Sequence, residues 1–187
     1  LDLTTGTDNT YIGAGAGDNN TTGKEIVAIG KDACAVQNTT NSGSPEICVV
    51  GFEAGKSITS GGAFTLIGHK AGKSLTDGVG VTIVGSGSGP DLTGSDNTFV
   101  GTQSGFTETN GSDNTLIGHD AGRTQNGAVM NTIVGSHAGD AVTNGSNNTL
   151  IGSFAGNNLL NGGNNTIVGH DIALSGQSNT NVIGIGF

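Results

Sequence analysis

Apolar residues in this chain come in adjacent pairs followed at once by glycine, and the pairs return at nearly even intervals. Asn114-Thr115-Leu116-Ile117-Gly118 is one instance. With the glycine as anchor, the phrase ends at Gly13, Gly30, Gly51, Gly68, Gly85, Gly101, Gly118, Gly135, Gly152, Gly169 and Gly184, with gaps of 17, 21, 17, 17, 16, 17, 17, 17, 17 and 15 residues. A fixed period of this size marks stacked supersecondary units. The residue before each anchor is Ile or Val, and β-branching without exception favours strand over helix. The residue before that is apolar in every unit. Successive side chains of a strand point to opposite faces, so two adjacent apolar columns predict that both faces are covered. One column fills the inside of a coil. The other is covered by a further wall of the same coil or by a second chain, because an apolar stripe of this length exceeds what a soluble monomer normally exposes. The pattern therefore predicts a homo-oligomer, a trimer before a monomer with a kinked strand. The candidate self-association stripe is Tyr11, Leu66, Ile83, Phe99, Leu116, Ile133, Leu150, Ile167, Val182 and Phe187.

Threonine stands three places before the anchor in eight units, and asparagine four places before it in six. Three places after the anchor, nine units carry Ala or Ser, small residues that permit tight corners. A looser apolar column follows seven places after it, at Ile58, Leu75, Leu92, Val142 and Leu159. Each unit then reads as one coil of short strands separated by tight turns. The predicted fold is all-β, a single-domain β-solenoid (β-helix or β-roll) over 1–187, with about eleven coils, a 17-residue period and an irregular inserted loop at 35–46 around Pro45. At the spacing of hydrogen-bonded strands the rod is roughly 50 Å long, and the Asn and Thr columns can bond from coil to coil along it. Neither Leu1-Asp2-Leu3 nor the last residues form a polar cap, which predicts head-to-tail stacking or flanking domains over the ends.

Composition narrows the function more than the fold. With 36 glycines, 4% aromatics and 11% charged residues, the core has to be thin and regular. The formal charge of -9 disfavours nucleic acid and anionic membrane surfaces, and no apolar run is long enough for a spanning helix. The chain begins at Leu1; a mature form would imply export, and a trimmed fragment would not. Cys34 and Cys48 bracket the irregular loop and form a disulfide candidate that would suit an oxidising compartment. The alternative is two small residues in interior columns.

The phrase Asn-Thr-Leu-Ile-Gly, two residues, then Ala-Gly resembles the head repeats of trimeric autotransporter adhesins, which carry a similar Asn-Ser-Val-Ala-Ile-Gly phrase. It also resembles glycine-rich repeats of phage tail fibres and bacterial surface fibres. The resemblance spans Asn9 to Gly184. It implies an extracellular, trimeric role in adhesion or spacing.

No catalytic residue, cofactor site or metal site is assigned from the sequence. His69, His119 and His170 each follow an anchor glycine at intervals of three coils, about 14 Å, too far apart to share an ion within one chain. His119-Asp120 and His170-Asp171 are adjacent pairs whose side chains are expected to point apart. Asp96-Asn97 and Asp113-Asn114 fall where turns begin. The expected function is a non-enzymatic structural or adhesive subunit of an extracellular fibre or filament, at a cell surface, in a secreted filament or on a virion. Its partners are itself, as homotrimer or head-to-tail homopolymer, and a cell-surface glycan or receptor. The alternative is an ice-binding or glycan-binding β-solenoid, the former because a Thr column facing outward could order water.

Overall fold

A computed structural model describes residues 6–36, 46–174 and 178–186. These residues form a parallel β-solenoid of about ten turns with a roughly 17-residue period. Each coil contributes one short strand: β1 Thr10–Ile12, β2 Ile26–Ile29, β3 Ile47–Val50, β4 Phe64–Ile67, β5 Thr82–Val84, β6 Thr98–Val100, β7 Thr115–Ile117, β8 Thr132–Val134, β9 Thr149–Ile151, β10 Thr166–Val168 and β11 Ile183–Ile185. The strands make one parallel sheet in chain order, β1 to β11. The irregular loop foreseen at 35–46 lies almost wholly outside the described residues.

The expected coil of several strands is reduced to one for a conformational reason. Two and four places after the anchor glycine the backbone takes positive φ, as at Asp120 (φ 55) and Gly122 (φ 56), and it does so again five places before the anchor, as at Asp113 (φ 60). Left-handed residues at such short intervals break the pleat, so only the three or four residues before each glycine stay extended. The other walls still bond coil to coil through the backbone, as where Gly122 N donates to Ala138 O at 2.9 Å. The anchor is glycine by necessity. Gly118 has φ 138, and a Cβ there would collide with the carbonyl of Gly135 in the next coil.

The register assigns the columns and corrects one expectation directly. Leu66, Ile83, Phe99, Leu116, Ile133, Leu150 and Ile167, proposed above as a self-association stripe, are fully buried inside the single chain. They form the core with the Ala corner column and with Ile58, Leu75, Leu92, Val142 and Leu159. The residue two places before the anchor is the inward one of each strand, so strand alternation takes it into the core. Tyr11 packs partly buried against the same core. Phe187 lies outside the described residues.

Val182 belongs to another column, because the last coil is in a different register from the one the sequence suggested. Thr166 pairs with Ile183, Ile167 with Gly184 and Val168 with Ile185. Gly186 therefore occupies the anchor position, and the final interval matches the regular period. Gly184 leaves the inward slot of β11 empty of a side chain, and Ile172 fills the vicinity from a corner that is Ala or Ser in the earlier coils. A Cβ on Gly184 would meet Ile172 at 3.5 Å and Leu174 at 3.9 Å.

The inward position four places before the anchor changes character along the rod, from Asn9 in the first coil, bonded to Gly23 O and Ile26 N, to apolar residues and back to asparagine. In coils two to five it holds buried Ile26, Ile47, Phe64 and Val81; from Asn97 to Asn165 it holds a buried asparagine in each coil. Each asparagine Nδ2 donates across its own coil to a backbone carbonyl, and each Oδ1 accepts the N–H of the equivalent residue one coil later. For Asn131 these bonds are to Gly145 O at 2.8 Å and from Asn148 N at 2.8 Å. The ladder ends where Val182 N donates to Asn165 Oδ1 at 3.0 Å. This is the expected coil-to-coil Asn column. It works because a buried backbone N–H or C=O that the broken pleat leaves unpaired costs free energy unless a side chain satisfies it.

Candidate functional site

Because Leu116 and its equivalents point inward, the flanking Thr and Ile or Val point outward on the same face. That face carries Thr65 and Ile67, Thr82 and Val84, Thr98 and Val100, and so on to Thr166 and Val168, in unbroken register. Its Thr column is interrupted only towards the ends, by Val27, Cys48 and Ile183. The face holds no charged residue and nothing larger than isoleucine. Ile12, Ile67, Ile117 and Ile151 are exposed, and Ile183 and Ile185 are 76% and 77% accessible. At the usual interstrand spacing this stripe is about 50 Å long and two columns wide. Patches of several hundred Å² on this scale mark interaction surfaces in soluble proteins.

The thiols lie on opposite sides of this wall. Cys48 takes a Thr slot on the outward face opposite Thr65, while Cys34 is buried at an inward corner with φ 49. They are not joined by a disulfide, contrary to the candidate pairing. Burial pushes the Cys34 thiol up to about 12, which keeps it protonated and unreactive.

A second cluster lies at the corner that follows the sheet. Asp120 is a left-handed residue, and that conformation cancels the divergence expected of adjacent side chains. His119 Nδ1 stands 3.6 Å from Asp120 Oδ2, and His137 Nδ1, from the next coil, stands 3.6 Å from the same oxygen. One ligand atom from each of the three lies within 4.8 Å of the others. Asp140 Oδ2 is 3.8 Å from His137 Nδ1. Burial raises the Asp140 carboxyl above its ordinary range, with the nearby Asp120 carboxylate adding to the shift and His137 opposing it. The rings continue as a surface ladder: His137 stacks on Phe154 with centroids 5.0 Å apart, and Phe154 meets His170 edge-on at 6.4 Å. In coils two to four the same corner carries ion pairs instead, Lys56 and Lys73 flanking Glu53 at 2.9 and 3.0 Å. Hydrogen bonds from these lysines draw the Glu53 carboxyl down to about 2.

The third feature is interior. Glu108 and Gln125 occupy, in successive coils, the column otherwise filled by Leu92 and Val142, and both are fully buried. Glu108 Oε1 accepts from the backbone N–H of Thr109, Gly111 and Gly127 at 3.1, 2.8 and 2.6 Å. Its Oε2 and the Oε1 of Gln125 have no hydrogen-bond partner. Burial raises the Glu108 carboxyl above its ordinary value despite those three donors.

Set against family models, curated proteins and solved structures, the chain matches none of them. Its functional reading therefore rests on its own geometry. Among the described residues no helix is long and apolar enough to cross a membrane.

Sequence reasoning separated the two apolar columns but turned the wrong one outward. The signal that could have decided it is the company each column keeps. Thr lies two residues before the Ile or Val column and so shares its face, whereas Asn shares the face of the Leu column. A hydroxyl column tolerates water, and a buried Asn ladder does not need it. The His119, Asp120 and His137 cluster was missed because strand alternation was applied to a residue that is not in a strand.

Proposed function

We propose that this chain is a structural module of an extracellular fibre or filament, non-enzymatic, that self-associates through the outward Thr and Ile/Val face. The observation that carries this reading is that this face holds no charged residue and keeps its Thr and Ile/Val columns in register from β4 to β10. Sheets of short β-branched side chains pack face to face at about 10 Å, and such packing removes both columns from water at once. Among the described residues β1 and β11 are the outermost strands of the sheet, and edges of this kind support growth of the rod by further coils, from flanking chain or from another copy. The repeat's likeness to adhesin heads and tail-fibre stalks agrees with a trimeric, surface-displayed arrangement that presents a glycan or receptor contact. Multi-angle light scattering with negative-stain microscopy tests this reading. It expects trimers or filaments of uniform width, and monodisperse monomers at high protein concentration would refute it.

One observation favours a second reading. The sequence offered only one regular Thr column, but the outward face has two parallel ranks, Thr and Ile/Val, at even spacing. Ranks of hydroxyls and methyls at even spacing suit ordered water, and an ice-binding role is the reading they favour. Thermal hysteresis that is lost on replacing Thr115 and Thr132 by lysine would favour this reading over the fibre; a wild-type chain without hysteresis removes it.

A further inference from the structure

The corner between the seventh and eighth coils has the composition and spacing of a metal centre. We propose that His119, Asp120 and His137 bind a borderline divalent transition-metal ion, the class to which Zn²⁺ belongs, with Asp140 within reach as a fourth ligand. Two imidazoles and a carboxylate suit zinc, nickel or copper better than calcium or magnesium. Bonds of about 2.0–2.1 Å at tetrahedral angles put neighbouring ligand atoms roughly 3.3 Å apart. Both imidazole nitrogens already stand 3.6 Å from Asp120 Oδ2, so a small rotation of two surface rings completes the set. The side chains are accessible enough to turn and to admit an ion: His119 is 53% exposed and His137 31%.

The carboxylate is the fixed point. Asp120 is a buried residue whose Oδ1 accepts no hydrogen bond, although Arg123 Nε lies 3.5 Å away. The Arg123 guanidinium is engaged over Phe106, 5.6 Å from the ring centroid. Asp140 Oδ2 lies 3.8 Å from His137 Nδ1. A buried carboxylate that two exposed imidazoles face without bonding is an arrangement that a cation between them completes. The repeat brings the ligands together: the slot two places after the anchor is Asp120 in one coil and His137 in the next, so the site bridges adjacent rungs.

Binding of this kind would clamp two coils and raise the melting temperature of the rod by mass action. Titration calorimetry of the full chain with zinc chloride alone is the test, with thermal melts recorded alongside. The expected result is one ion per chain and a higher melting temperature. His137→Ala and His119→Ala, both surface changes that leave the circular dichroism intact, are each expected to weaken binding by at least about tenfold, the scale of even an outer-shell loss. His69→Ala is the control, since His69 stacks on Phe52 away from the cluster and should change nothing. No ion bound at millimolar zinc would overturn the proposal. So would equal weakening by His69→Ala, which would indicate general binding to surface histidines.

Discussion

Replacing Asn131 by alanine is expected to destabilise the rod by about 2–6 kcal/mol, because it orphans two buried backbone groups at about 1–3 kcal/mol each. Gly145 O loses the Nδ2 donor and Asn148 N loses its Oδ1 acceptor. Neither Gly145 nor Asn148 is reachable by water, so nothing replaces the lost partners. A chain of this size should melt roughly 5–20 °C lower as a result. Valine in place of asparagine should not rescue the variant, although Val81 fills the equivalent slot in an earlier coil, because Gly145 O and Asn148 N still need the amide. Thr132→Ala, one residue away but facing outward, should shift stability by no more than about 0.5 kcal/mol. Differential scanning calorimetry of the two variants measures the contrast. Equal effects would mean that the ladder contributes nothing that the outward column does not.

Glu108→Gln is expected to do the opposite and stabilise the protein near neutral pH. Burial raises the Glu108 carboxyl, so the folded state prefers it protonated. With a folded value above the ordinary 4.5, its favourable contribution is complete below that value and is lost as pH rises through the folded one. At neutral pH the chain carries either a buried charge or the cost of suppressing it. Glutamine keeps Oε1 for the N–H groups of Thr109, Gly111 and Gly127 and turns the orphaned Oε2 into a donor, in the column where the next coil's Gln125 has an unpartnered Oε1. The expected gain is about 1–3 kcal/mol, the cost of one unsatisfied buried polar group. Above the ordinary carboxylate value the wild-type melting temperature should fall with rising pH more steeply than that of the variant. Glu53 does not confuse the comparison. Its lowered carboxyl contributes stability that is present above 4.5 and lost only as pH falls towards about 2. Superimposable profiles for variant and wild type would show that Glu108 does not titrate in this range.

Much of the architecture was legible because the period fixes the stack and β-branching fixes the strand. The inward Leu column, the Ala corner and the apolar column of Ile58, Leu75 and Leu92 can each be read down the repeat. Three things were not legible, each for a physical reason. The face served by each apolar column depends on which neighbours must be dry, and the Asn ladder supplies that information only once its hydrogen bonds are seen. The register of the last coil was misread because Val182-Ile183-Gly184 imitates the phrase, whereas the pairing sets Ile185 and Gly186 in those positions. Left-handed backbone favours glycine, yet Lys70, Gln103, Met130 and Phe154 adopt it at the corners too, at φ 58, 56, 57 and 59. Coil-to-coil backbone bonding over-determines the conformation there, and single-residue preference yields to it. The cluster of His119, Asp120 and His137 depends on one of these corners and was hidden with them.

The central claim is that neighbouring residues of one rung have opposite fates, Leu116 in the core of the chain and Ile117 on its contact face. Analytical ultracentrifugation of Ile117→Lys and Leu116→Lys, each paired with circular dichroism, tests it most directly. The account predicts that Ile117→Lys keeps the β-sheet spectrum and dissociates to monomers, while Leu116→Lys loses the fold. A folded Leu116→Lys, or an Ile117→Lys that assembles as the wild type does, would contradict it.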